Sequence, residues 1–159
     1  MTHEQHDEQL REFWAAARAA VPGVPDVAPE PWSFGGTAEE ADALLALVLS
    51  GTKTATSSAA GDYAAENEPL PVPGSFSVVT NGRGVPRAVF ETTRVKVVPF
   101  GEVTAEHAAA EGEGDGSLES WRAEHERFWR EHAVEGFDPA MGVVCEEFRV
   151  VYVAPVNRS

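Results

Sequence analysis

The chain has 159 residues, 43% of them hydrophobic and 24% charged, with a formal net charge of −14. That length suits one domain with a proper core, and the composition is that of a globular protein rather than a disordered or fibrous one. The acidic balance argues against a general nucleic-acid coat, because phosphate binding needs clustered cations, yet it leaves room for a local basic cleft.

The first twenty residues, MTHEQHDEQLREFWAAARAA, carry no basic n-region and no continuous apolar stretch, so they do not read as a secretory signal. No window approaches the ~18 apolar residues of a spanning helix. A cytoplasmic location and no membrane partner are therefore expected. Leu10, Phe13, Trp14, Ala17 and Val21 fall at helical spacing, with Thr2 and Gln5 as a capping box and Pro22-Gly23 as the stop. Residues 22–31 contain four prolines and read as an extended connector. A second helix opens at Thr37, lines Ala41, Leu44, Leu45, Val48 and Leu49 along one face, and ends at Gly51.

The segment GTKTATSS, 51–58, reads as the loop after that helix. It holds Lys53, one of only two lysines among twelve Lys and Arg residues. A cation near helix carbonyls is favourable in itself, so Lys53 has a plain structural explanation beside any chemical one. From Ser75 the pattern turns to strands: SFSVVT, a turn at NGRG, then VPRAVFETTRVKVVPF as one long or bent strand. Arg83, Arg87, Arg94 and Lys96 lie within fourteen residues that hold one acid, Glu91, and form either a positive stripe or a solvated sheet face. A short helix is expected from Glu102 to Ala110, then the acidic loop EGEGDG, then a helix capped by Ser117. That helix carries Leu118, Trp121, His125, Phe128 and Trp129 on one stripe, and a last strand runs from Met141 to Val153. Mixed connection lengths and no strict strand–helix alternation give an α+β class: a small, mostly antiparallel sheet or barrel flanked by helices. The one cysteine, Cys145, sits in an apolar run and reads as a buried thiol.

Several chemistries fail on spacing. Counted from Glu111, the twelfth position of a calcium loop is Arg122 where a bidentate glutamate is required. No H-E-x-x-H, Walker loop or G-x-S-x-G elbow occurs. No cofactor or metal is expected, although Glu111, Glu113 and Asp115 are the acids a divalent ion would use. What survives is a pair of segments: an ammonium and hydroxyls in 51–58, carboxylates and a hydroxyl in 111–117. Brought together, they could run acyl or phosphoryl transfer.

These segments sit among PWSFGGTAEEADALLALVLSGTKTATSS, EPLPVPGS, AVFETTRVKVVPFGEV, HAAAEGEGDGSLESWRAEHERFW and VVCEEFRVVYV. The ordered blocks resemble the ASCH domain family, in its longer bacterial branch, from about Trp32 to Val153. The resemblance divides the chain into an N-terminal helix and connector (1–31), an ASCH domain (32–153) and a C-terminal tail (154–159). It implies a small PUA-like β-barrel with helices and work on RNA or RNA-derived nucleosides. Small amidohydrolase members deacylate N4-acetylcytidine with a K-x-x-T lysine and threonine and a glutamate four residues after a histidine. Those positions fall here on Lys53, Thr56 and Glu111, the last counted from His107. In such a site Thr56 is the nucleophile, Lys53 activates it or steadies the oxyanion, and Glu111 moves protons. Longer relatives are linked to single-stranded RNA cleavage, with Lys53 on the phosphorane, and a third group to RNA binding alone. Substrate contacts are expected from Trp32, Phe34, Ser57, Arg83, Arg94, Asp115 and Ser117. Trp32 would be a lip residue, whereas Trp121 belongs to a core stripe.

Overall fold

Apolar periodicity and caps lay down the helices largely where the sequence places them. The computed structural model describes residues 2–155. Met1 and residues 156–159, most of the expected tail 154–159, lie outside the described residues. Helix α1 (His3–Ala20) starts with both halves of the Thr2–Gln5 capping box in place, and α2 (Ala38–Leu49) starts on Thr37, whose side chain accepts from Glu40 N. The helix-forming stretches from 100 onward shift slightly: a short 3-10 turn at Phe100–Glu102 precedes α4 (Ala105–Glu111), so Glu111 ends a helix instead of opening a loop. Ser117 caps α5 (Leu118–His132).

Two elements were not foreseen. Residues Ala55–Ala59 form strand β1 and Ala60–Ala65 form helix α3, so the expected 51–58 loop ends at Thr54. The other strands are β2 (Phe76–Thr80), β3 (Pro86–Pro99) and β4 (Gly142–Val153). The strands hydrogen-bond in the order β1-β4-β3-β2, with β1–β4 and β2–β3 antiparallel.

The chain divides into two units. The first comprises Met1–Ser50, Gly74–Glu91 and Arg149–Ser159, and the second Gly51–Pro73 and Thr92–Phe148. In the first, Phe13, Trp14 and Ala17 of α1 pack with Val78 and Val89, and Trp14 Nε1 donates to Pro25 O at 2.9 Å, tying the proline-rich connector to the helix. Trp32 bridges Val79 through its backbone, and its ring meets Phe34 and Phe90 edge-on. In the second, Phe100, Val103, Ala108, Trp121, Trp129 and Val143 form the core. The Trp121–Trp129 stripe is thus core packing, as its helical spacing indicates; large aromatics dominate such burial.

The second unit docks the Lys53 loop onto the end of α4. Thr54 N donates to Ala110 O at 2.8 Å, and Phe148 N donates to Thr54 O at 3.1 Å. Gly112 permits this approach: its φ is +68°, and a Cβ there would lie 2.4 Å from Thr52 O. Gly112→Ala is expected to lower stability by about 1–3 kcal/mol from backbone conformation alone, with the Thr52 clash adding to it. A urea-denaturation comparison with wild type measures the loss.

Candidate functional site

Lys53 and Glu111 are each only 1% exposed. Burying two charges is costly unless each is paired and hydrogen-bonded, and here both are. Lys53 Nζ donates to Glu111 Oε1 at 3.2 Å, Glu113 Oε2 at 2.7 Å and Ala55 O at 3.0 Å. These three oxygens match an ammonium's three hydrogens. Glu111 Oε2 accepts from Ser57 Oγ at 2.6 Å and from the Trp121 indole N–H. His107 Nε2 lies 3.2 Å from the same oxygen and His125 Nε2 3.7 Å from it. Ser57 Oγ also meets His107 Nε2 at 2.7 Å. His125 stacks on Trp121 with ring centroids 4.2 Å apart.

The protonation pattern follows from these neighbours. Burial would raise the Glu111 carboxyl, but His107, His125 and Lys53 outweigh it and hold it well below the usual range. Burial would lower His107, but the Cys145 thiol and the Glu111 carboxylate push it up to about 9. At neutral pH the pair is carboxylate and imidazolium. The Glu113 carboxyl is raised by burial, with Lys53 opposing and the Glu111 charge adding to the rise.

His107 opens onto a recess of about 220 Å³ in the second unit, whose wall includes Arg94, Lys96, Cys145 and Glu147. Glu102 and Glu106 also line it, so three carboxylates balance two cations and one imidazolium. Arg94 Nε stands 3.7 Å from Glu147. A larger hollow of about 570 Å³ along α1 is lined by Gln5, Glu8, Gln9 and Glu12 and gathers no comparable set.

The expected site residues are partly assembled. Lys53, Glu111 and Ser57 meet directly. Thr56 does not join them: side chains alternate along a strand, Ser57 points to Glu111, and Thr56 lies opposite Glu146 on the other face. Asp115 Oδ1 accepts from Ser117 N at 2.9 Å, and Ser117 caps α5, so both shape the loop after Glu111. Arg94 reaches the recess, while Arg83, Trp32 and Phe34 belong to the first unit, where Phe34 is buried. Of the acids a divalent ion would use, Glu111 and Glu113 are held by Lys53 and Asp115 by the loop; among the described residues no group of His, Cys, Asp and Glu could hold a metal ion. His107, His125 and Trp121 were not foreseen as site residues. The four-residue step from His107 to Glu111 is the signal that finds the first of them, since it puts both on one helix face.

A family model described as the ASCH domain matches residues 30–152. The chain belongs to the ASCH domain family. A solved ASCH domain from Lactobacillus crispatus JV V101 is 31% identical, covers 91% of this chain and 95% of its own length, and superposes with a TM-score of 0.80. A protein from Enterococcus faecalis V583 is 33% identical, covers 90% of this chain and 88% of its own length, and gives a TM-score of 0.82. No curated protein matches the chain. The ASCH structures carry the same α+β, PUA-like fold, as the sequence led one to expect. No helix among the described residues is long and apolar enough to cross a membrane.

Removing the ammonium leaves two carboxylates uncompensated. Lys53→Met is expected to cost about 3–5 kcal/mol of stability, measured by urea unfolding at neutral pH. His107 gives a pH test. Because folding raises its pKa from 6.5 to about 9, the stability it lends is complete below 6.5 and is lost as pH rises through 9. The urea midpoint should fall across that window in wild type, and His107→Gln should flatten the fall.

Proposed function

We propose that this chain is a hydrolase of RNA-derived nucleosides, working at the recess in front of His107 with Ser57 as nucleophile. The ASCH domain is a PUA-like fold associated with RNA binding, and the recess has room for about one nucleobase, well below the usual volume of a drug-sized pocket. The observation that carries the reading is the Ser57 hydroxyl, held at 2.6 Å from Glu111 and 2.7 Å from His107. As Ser57 Oγ bonds to an acyl carbon, its proton passes to Glu111 Oε2. The cationic His107 donates to the departing nitrogen and the C–N bond breaks; the now neutral His107 takes a proton from the water that attacks the acyl-serine, and Glu111 returns its proton to Ser57 Oγ as the acid leaves. Lys53 anchors the carboxylate, since its ammonium already faces three oxygens.

This assignment moves the nucleophile from Thr56 to Ser57 and gives Lys53 no direct contact with substrate. The balanced lining of the recess also suits an uncharged nucleoside better than a polyanion. Single-stranded RNA binding or cleavage is the second reading, favoured by Arg94 and Lys96 beside the His107 imidazolium.

The test incubates wild type, Ser57→Ala and Thr56→Ala with N4-acetylcytidine and with a labelled single-stranded RNA. Ser57→Ala should slow release of cytidine by about a hundredfold or more, with Thr56→Ala close to wild type. Loss in Thr56→Ala alone would place the nucleophile on the opposite strand face. RNA fragments without cytidine would replace the nucleoside reading with the ribonuclease one.

A further inference from the structure

Across β1 from Ser57 lies a second polar group of the same unit that the mechanism above does not use. Glu146 is 6% exposed, and its Oε2 accepts from Thr92 Oγ1 at 2.6 Å. Among the described residues its Oε1 has no hydrogen-bond partner and Glu146 forms no ion pair. That oxygen is not sealed off, because among the described residues the fully buried unsatisfied side-chain atoms are Gln9 Oε1 and Arg122 Nε. Thr56 stands directly opposite Glu146 in the β1–β4 register, its hydroxyl without a side-chain partner among the described residues. Ser58, two residues on and on the same face, shares a hydrogen bond of 2.8 Å with the Tyr63 hydroxyl. Both Ser58 and Tyr63 keep further donor and acceptor capacity.

We infer that this face is a second binding site, which takes the amino-bearing edge of a nucleobase on Glu146 Oε1, with the hydroxyls of Thr56, Ser58 and Tyr63 around it. The inference rests on the nucleoside reading given above for the class of ligand. Glu146 is a largely buried carboxyl whose Oε1 stays open, so that oxygen can accept from an N–H donor of a ligand without giving up its bond to Thr92. No lysine or arginine belongs to the group, so a phosphate gains nothing there and is repelled by any charge on Glu146. Burial raises the Glu146 carboxyl, with Thr92 opposing. Carboxylates accept from exocyclic base amines in this way elsewhere. The three hydroxyls, each donor and acceptor, adapt to the remaining ring atoms.

The experiment titrates carbon-13-labelled wild type with cytidine, adenosine, uridine and inosine, following the Glu146 carboxyl and Thr56 methyl resonances. The amino-bearing cytidine and adenosine should bind about tenfold more tightly than their oxo counterparts, and both resonances should move. Glu146→Gln, which keeps the side-chain shape, should erase that preference, while Ser57→Ala should preserve it. Equal binding of all four nucleosides, unmoved wild-type resonances, or a preference that survives in Glu146→Gln would each overturn the site. Turnover in Ser57→Ala is read separately, so failure of this site and failure of the hydrolase reading are told apart.

Discussion

The buried pairing of Lys53 with Glu111 is the constraint to which the rest of the site answers. A carboxylate at the last residue of α4 sits where the helix dipole is already negative, an unfavourable place for an anion. Lys53 makes it tenable, together with Ser57, Trp121 and two histidines on the same carboxylate. The identity of the cation matters in a chain that otherwise favours arginine. Three oxygens converge on one compact ammonium, whereas a planar guanidinium presents its donors as a rigid fork. The absence of a side chain at Gly112 belongs to the same design, since only a bare backbone lets the Thr52 carbonyl come so close.

That ion pair also sets what the neighbouring groups can do. In the resting site Glu111 is an anion and His107 a cation at neutral pH. A cation cannot serve as the base of a Ser–His pair, and here one nitrogen, Nε2, faces both Ser57 and Glu111. In a serine-protease-like relay the two ring nitrogens are divided between nucleophile and carboxylate. The cluster is arranged differently, with the carboxylate nearest the hydroxyl and the imidazolium able only to donate.

Much of this was legible in the sequence, and the failures are instructive. The capped, periodic helices α1, α2 and α5 were readable because their apolar faces repeat and their N-caps are explicit. The meeting of Lys53 and Glu111 came through the family resemblance, since nothing local announces a contact between residues 58 positions apart. Strand β1 was missed because ATSSA is short, small and rich in hydroxyls, a composition shared with turns. That omission bears on which hydroxyl meets Glu111. Without the strand there is no alternation, and without alternation Thr56 and Ser57 look interchangeable. The helical spacing of Trp121 indicates core packing, and it is in the core, but its indole N–H also donates to Glu111, a dual role that periodicity cannot reveal.

The two units are each assembled from separated stretches of chain, and β3 and β4 both pass from one unit to the other. The family match begins at residue 30, yet Phe13, Trp14 and Ala17 from the preceding helix are part of the first unit's core. Sequence boundaries of the family and physical boundaries of folding thus diverge. A chain trimmed to the matched residues would expose the apolar faces of Val78 and Val89 that α1 now covers, trading a folded protein for a sticky one.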